Sequence, residues 1–260
     1  MSTQTTAPIQ KPIATPAKTP ETARYFYSAA ALLLFVLMFI GFKSYYLHGQ
    51  AFPSRPIAPP MRNLVLAHGT AMTTWMLLFV IQPLLVARGN RKLHMKLGYF
   101  GAVLALAMIG LGFFTAIISA KFTPPDVRIW GLPPKNFMAI PVFSISTFAI
   151  FVALGVWFRK KPQIHRPMMF MAVLAMIGAA VARVQFLNSL YQGTIFETIF
   201  GPTFMTIVIG LILFIIKSIL TRSFDRHYAI GLAAFTAIFV FTWAIAPTAA
   251  WLKVATALTS

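Results

Sequence analysis

The strongest constraint on this fold is a series of apolar stretches, each about as long as a bilayer is thick. Roughly 20 residues of helix cross a hydrocarbon core. Only helices are plausible spans, because backbone groups in lipid must pair within their own segment and no alternating strand pattern appears. The sequence therefore predicts an all-α membrane protein, a bundle of about seven transmembrane helices over residues 25–48, 62–87, 97–120, 137–158, 167–191, 199–220 and 228–252.

Positive charge is concentrated in short loops on one side of these spans. The formal net charge is +18, which in a soluble chain would suggest a nucleic-acid partner. Between membrane spans it instead encodes orientation, since cytoplasmic loops are enriched in Lys and Arg. We expect a multi-pass protein of a bacterial-type cytoplasmic (inner) membrane, with its N-terminus cytoplasmic, its C-terminus outside, contacts to anionic lipids and no nucleic-acid partner.

The chain divides into one membrane domain and two tails. Residues 1–24 are rich in Pro, Thr and Ala, which predicts a flexible cytoplasmic tail. Residues 25–252 are predicted as a single polytopic transmembrane domain, and residues 253–260 as a short outer tail. The chain has no cysteine, which excludes thiolate metal sites and iron–sulfur clusters.

Two polar residues are predicted toward the outer side of the membrane. His68 is about 9 Å in from the outer end of the second span, and Arg183 is about 24 Å from the cytoplasmic start of the fifth. His68 and Trp75 share a helix face, and Gln185 and Asn188 follow Arg183. These residues are predicted to frame an outer pocket, in which His68 contacts a haem, a metal or a quinone and Arg183 an anionic group. Alternatively, Arg183 snorkels to the interface and His68 is bonded to a neighbouring helix.

Three further histidines lie where spans three, five and seven begin. His94, His165 and His227 each sit beside Lys or Arg. They are candidates for a shared metal site or a haem edge, or for simple contacts with anionic headgroups.

Two sequence segments carry a resemblance. HGTAMTTWMLLFVIQPLLVARGNRKLHMKLG holds a histidine, a tryptophan, a glutamine and then His-x-x-Leu-Gly; RKKPQIHRPMMFMAVLAMIGAAVAR holds a basic His-Arg motif and a later Arg. With these motifs the chain resembles an uncharacterised family of bacterial multi-pass inner-membrane proteins, and more loosely transmembrane b-type cytochromes. The resemblance implies architecture and no agreed activity. The positions that carry it are His68, Trp75, Gln82, His94, Leu97, Gly98, His165, Arg166 and Arg183.

Catalytic signatures are missing from the sequence. It has no phosphate-binding Gly-rich loop, HExxH motif or nucleophile elbow, and no span contains a convincing acid for proton pumping. The leading hypothesis is a redox or binding protein whose outer pocket holds haem b, a quinone or another anionic amphiphile. The second is a non-catalytic accessory subunit of a larger membrane complex, and the third a transporter of small anions or lipids. Whether it is an enzyme stays open.

Overall fold

Long apolar helices dominate the computed structural model of the chain, which describes residues 24–52, 55–57 and 59–260. Within those residues, six helical segments are long and apolar enough to cross a membrane. The prediction of a multi-pass helical membrane protein is confirmed at this level. The predicted tail lies outside the described residues except for Arg24.

The helices and strands follow one another along the chain with short connections. Two short antiparallel strands, β1 (Gln50–Phe52) and β2 (Arg55–Pro56), lie between the second and third helices. The helices are α1 (Phe26–Gly41), α2 (Lys43–His48), α3 (Pro59–Ala87), α4 (Arg91–Phe122), α5 (Pro134–Phe137), α6 (Ala139–Trp157), α7 (Pro162–Val181), α8 (Gln185–Ser189), α9 (Ile195–Phe200), α10 (Phe204–Thr221), α11 (Arg226–Ile245) and α12 (Ala249–Thr259).

The first predicted span is interrupted. Residues 25–48 form α1 and α2, which are separated at Phe42. The 16 residues of α1 rise about 24 Å, less than a typical hydrocarbon core. It is apolar but shorter than the six long segments. The number of seven spans and the orientation of the termini stay predictions.

Helix α7 forms the centre of the bundle. Nearly every residue from Pro167 to Val181 is buried, and the helix packs against α1, α6, α10 and α11. Its sequence is apolar on all sides, as expected of a helix that other helices surround. It ends at Val181, ten residues before the predicted end of the span.

The C-terminal residues, which include the predicted outer tail, form a helix. Helix α11 ends at Ile245, and Pro247 separates it from α12, because proline cannot continue the hydrogen-bonding pattern. Thr248 caps α12 by accepting a hydrogen bond from the Trp251 N–H at 3.2 Å. Trp251 in turn donates its Nε1–H to the Lys135 carbonyl at 3.0 Å. Ala255 and Thr259 of this helix are buried, and the division into a membrane domain and an outer tail stays a prediction.

Helices α3 and α4 pack side by side as an antiparallel hairpin. Gly89, with φ of +80°, makes the turn between them, and Asn90 caps α4 by accepting a hydrogen bond from the Leu93 N–H at 3.1 Å. The buried face of α4 consists mainly of small residues, which let neighbouring helices approach closely. Those residues are Gly101, Ala105, Met108, Gly112, Ala116 and Ala120.

Candidate functional site

One face of α3 carries three polar side chains at a regular spacing. His68, Trp75 and Gln82 are seven residues apart, which is close to two helical turns, so they line up along the helix. We call these three residues the polar seam. It lies against α4: a Cβ built on Gly112 would be 3.8 Å from His68 Cε1, and one on Gly101 would be 3.9 Å from Trp75 Cζ3.

Each member of the polar seam buries an atom that makes no hydrogen bond within the described part of the chain. These atoms are His68 Nδ1, Trp75 Nε1 and Gln82 Oε1. The indole N–H can only donate, the amide oxygen can only accept, and the imidazole nitrogen does either according to its tautomer. A buried polar atom without a partner costs about 1–3 kcal/mol. The seam therefore offers both donor and acceptor capacity to a binding partner.

Trp75 is held firmly in this position. It is 4% exposed, and its ring meets Phe148 of α6 edge to face, with centroids 5.2 Å apart. The indole is thus packed by apolar neighbours while its N–H lacks an acceptor among the residues described. Apolar packing accounts for an aromatic ring at this position. It does not account for a tryptophan, whose buried N–H needs an acceptor.

Arg183 lies in the turn after α7 and not inside the helix. Its guanidinium donates to the Ala179 carbonyl at 2.6 Å and stacks over the Phe42 ring, 4.8 Å from the centroid. Burial lowers the pKa of Arg183 to about 10, so it remains charged at neutral pH. Cation–π contact with Phe42 helps to offset the loss of water around the charge.

Arg183 and His68 lie at the same end of the bundle but have different neighbours. Arg183 packs on Phe42, and Gly69, which follows His68, packs on the ring of Tyr45 one turn further along. Arg183 therefore faces the junction of α1 and α2, whereas His68 faces α4. A pocket shared by both residues stays a prediction.

The other two residues of the predicted outer pocket differ in burial. Gln185 is exposed at the start of α8. Asn188 is buried and donates its Nδ2–H to the Ala182 carbonyl at 2.7 Å, which ties α8 to the end of α7. Its Oδ1 has no partner in the described ranges. Asn188 therefore has a clear structural role in closing the turn that contains Arg183.

Tyr191 was not singled out by the sequence. It is 1% exposed, stacks on Trp130 with centroids 6.5 Å apart, and buries a hydroxyl for which the described residues offer no partner. Burial, with the nearby Glu197 carboxylate, raises the pKa of Tyr191 to about 12. An aromatic residue in an apolar segment gives no signal of this kind in a sequence.

Two of the three predicted inner histidines come together. The rings of His94 on α4 and His165 on α7 are nearly perpendicular, with centroids 6.4 Å apart. We call these two residues the histidine pair. His227 does not join them: across the described ranges, no group of three or more His, Asp or Glu side chains is placed to hold a metal ion. A site shared by all three histidines stays a prediction, since no metal-holding group that includes His227 is found among the described residues.

The main chain orients one ring of the histidine pair. His165 Nδ1 is 2.8 Å from the Gly155 carbonyl oxygen, so this nitrogen carries the proton and Nε2 keeps its lone pair. His94 lies near the main-chain carbonyl of Gln82, and its buried Nδ1 finds no partner among the described residues. His165 Nε2 and His94 Nδ1 are therefore the nitrogens available as acceptors or ligands.

An ion pair between α10 and α11 is also absent from the predictions made from the sequence. Lys217 pairs with Asp225, and Asp225 caps α11 by accepting hydrogen bonds from the His227 and Tyr228 N–H groups at 3.1 and 3.0 Å. An Asp just before an apolar helix is the usual sign of such a cap. Because all its oxygens serve the fold, Asp225 is a structural residue.

Comparison of the chain with protein-family models, with curated proteins and with solved structures found no match. The interpretation of the polar seam and the histidine pair therefore depends on their own geometry.

Proposed function

We propose that this integral membrane protein binds the polar end of a quinone-type amphiphile at the part of the polar seam formed by His68 and Trp75. The observation that carries the proposal is the pair of buried nitrogens, His68 Nδ1 and Trp75 Nε1, without partners in the described chain. Both can act as donors. A quinone presents carbonyl oxygens that accept such hydrogen bonds, and its apolar tail belongs in lipid.

Access from the lipid phase supports a membrane-dissolved ligand. Helix α3 is the least buried of the six long segments, with 17% of its apolar window buried inside the protein. An amphiphile can therefore approach α3 sideways and reach its half-buried His68. Such a binding role accords with the redox or binding hypothesis, and the outer location of this end stays a prediction.

Haem b fits His68 poorly. A Cβ on Gly112 would lie 2.8 Å from Ile145 Cδ1 and 3.8 Å from His68 Cε1, so α4 and α6 pack closely beside one edge of this imidazole. A porphyrin would need a slot between these two helices that the close packing does not leave, whereas the half-buried imidazole can still be reached from the lipid side of α3. We therefore assign no haem to His68. The accessory-subunit and transport hypotheses stay predictions.

A quinone-binding titration tests the proposal. The probe is a benzoquinone with a ten-carbon tail, added to the full-length protein in detergent and followed by calorimetry. Trp75→Phe keeps most of the ring and removes the N–H, so affinity should fall about tenfold, the worth of one hydrogen bond. His68→Phe should lower it similarly.

Trp157→Phe is the matched control, because Trp157 is 78% exposed at the end of α6. It should bind the quinone like the unaltered protein. Equal affinity in all four proteins, or no binding by the unaltered protein, would overturn the proposal.

A further inference from the structure

The histidine pair lies at the opposite end of the α3–α4 hairpin from His68, and the quinone proposal does not use it. We infer that His94 and His165 bind one Cu(I) ion, with the thioether of Met169 as a third ligand. The inference is independent of the proposed function, since it concerns other residues and another kind of ligand.

Ring geometry is the first support. With centroids 6.4 Å apart and planes at 87°, the rings do not stack, and the space between them is of the order of two metal–nitrogen bonds. Imidazole nitrogens bind metal ions at about 2.0–2.1 Å. The centroid separation therefore allows one ion to bind a nitrogen of each ring once the free nitrogens turn toward it.

The tautomers are the second support. A histidine that ligates a metal normally gives its other N–H to a carbonyl or carboxylate, which sets the ring orientation. The Gly155 carbonyl does this for His165 at 2.8 Å. The main-chain carbonyl of Gln82 lies near His94. His94 Nδ1 is buried and, within the residues described, has no hydrogen-bond partner that would compete with a metal ion.

Met169 supplies a soft donor atom, its thioether sulfur, close to His165. It follows His165 by one helical turn on α7, so the two side chains share a face. Its sulfur packs against Gly155, the residue that holds His165: a Cβ there would be 2.5 Å from Met169 Sδ. Gly155 thus leaves room for the thioether next to the imidazole. Thioether and imidazole ligands together favour Cu(I).

Local charge also favours a monovalent ion. Arg166 is close enough to act electrostatically on both histidines. The donors proposed here, two neutral imidazoles and a thioether, bring no negative charge to offset a cation. A positive neighbour therefore penalises a divalent ion about twice as much as a monovalent one, since the Coulomb energy scales with the charge. This argument selects Cu(I) over Zn²⁺.

The test is an anaerobic titration of the full-length protein in detergent with Cu(I), in competition with a chromogenic Cu(I) chelator. We expect one Cu(I) per chain and weaker binding of Zn²⁺. His94→Ala and His165→Ala should each lower the affinity for Cu(I) at least tenfold. His227→Ala is the matched control, because His227 also lies in the first turn of a long helix, and its affinity should be unchanged.

X-ray absorption of the copper-loaded protein should show two imidazole nitrogens and one sulfur. Met169→Leu conserves side-chain volume, so it should fold normally while losing the sulfur signal and binding copper more weakly. If the histidine variants do not fold, the Met169→Leu variant still tests whether copper binds at this site. Absence of competitive binding, equal affinity in all variants, or unchanged sulfur scattering in Met169→Leu would overturn the inference.

Discussion

Lys217 and Asp225 form an ion pair that joins the end of α10 to the start of α11. Both side chains are mostly buried, at 13% and 16% exposure, and Asp225 also caps α11. One carboxylate thus holds the connection between these two helices in two ways. Removing a single partner leaves a charge in a site that water scarcely reaches, which is costly.

The two roles of Asp225 can be separated by substitution. Asp225→Asn keeps an oxygen for the cap but leaves the mostly buried Lys217 without its partner, so it should cost about 3–5 kcal/mol of unfolding free energy. Asp225→Ala loses the cap as well, which adds about 1 kcal/mol. Thermal unfolding in detergent measures both, and Asp126→Ala, on an exposed loop, is the control. Equal stability of the Asn and Ala variants would contradict the capping role.

Close contact between α1 and α7 at Gly41 gives a second prediction. A Cβ on Gly41 would collide with the backbone of Ala180, which cannot move without displacing α7. Gly41→Ala should therefore destabilise the protein by about 1–3 kcal/mol or more, as overpacking does. Gly110→Ala is the control, since open space surrounds the Cβ of Gly110 in α4. A melting temperature of Gly41→Ala equal to that of Gly110→Ala would show that the two helices separate easily.

Tyr191 predicts a dependence of stability on alkaline pH. Its pKa is raised to about 12 in the folded protein, chiefly by burial, above the ordinary value of 10.0. Its contribution to stability is therefore fully present below pH 10 and is lost as the pH rises toward 12. Tyr191→Phe should lack this loss, so the difference in melting temperature between the two proteins should change between pH 9 and pH 12.

The same variant has an expected effect at neutral pH. Because the Tyr191 hydroxyl is buried and no described residue bonds it, Tyr191→Phe should leave stability unchanged or raise it slightly. The ring still stacks on Trp130. A loss of more than about 1 kcal/mol on this substitution would indicate that the hydroxyl makes a hydrogen bond.

Helix periodicity allowed the polar seam to be predicted in part, because His68, Trp75 and Gln82 repeat every two turns of one helix. Helix periodicity does not predict where α7 ends. Residues 180–186 contain no Gly or Pro, and the turn there is held by Asn188, whose side chain reaches back to Ala182. A contact of this kind depends on tertiary packing, so Arg183 was expected inside the membrane span.

The histidine pair shows the same limit. His94 and His165 are 71 positions apart, and only the packing of α4, α6 and α7 decides that their rings meet while His227 stays apart. Pro247, by contrast, is a local signal that could have placed the end of the last span before residue 252. The local sequence thus predicts most of the helices, but it does not predict which helices contact one another.

The burial of α7 has a consequence for the order of synthesis. Helices α1 and α6 precede α7 in the chain, whereas α10 and α11 follow it and cover its remaining sides. While the ribosome is still translating the last third of the protein, the sides of α7 that α10 and α11 later cover face lipid or the insertion machinery. Chains truncated after residue 200 should therefore be recognised by membrane quality control and degraded, although every residue of the polar seam and the histidine pair has already been made.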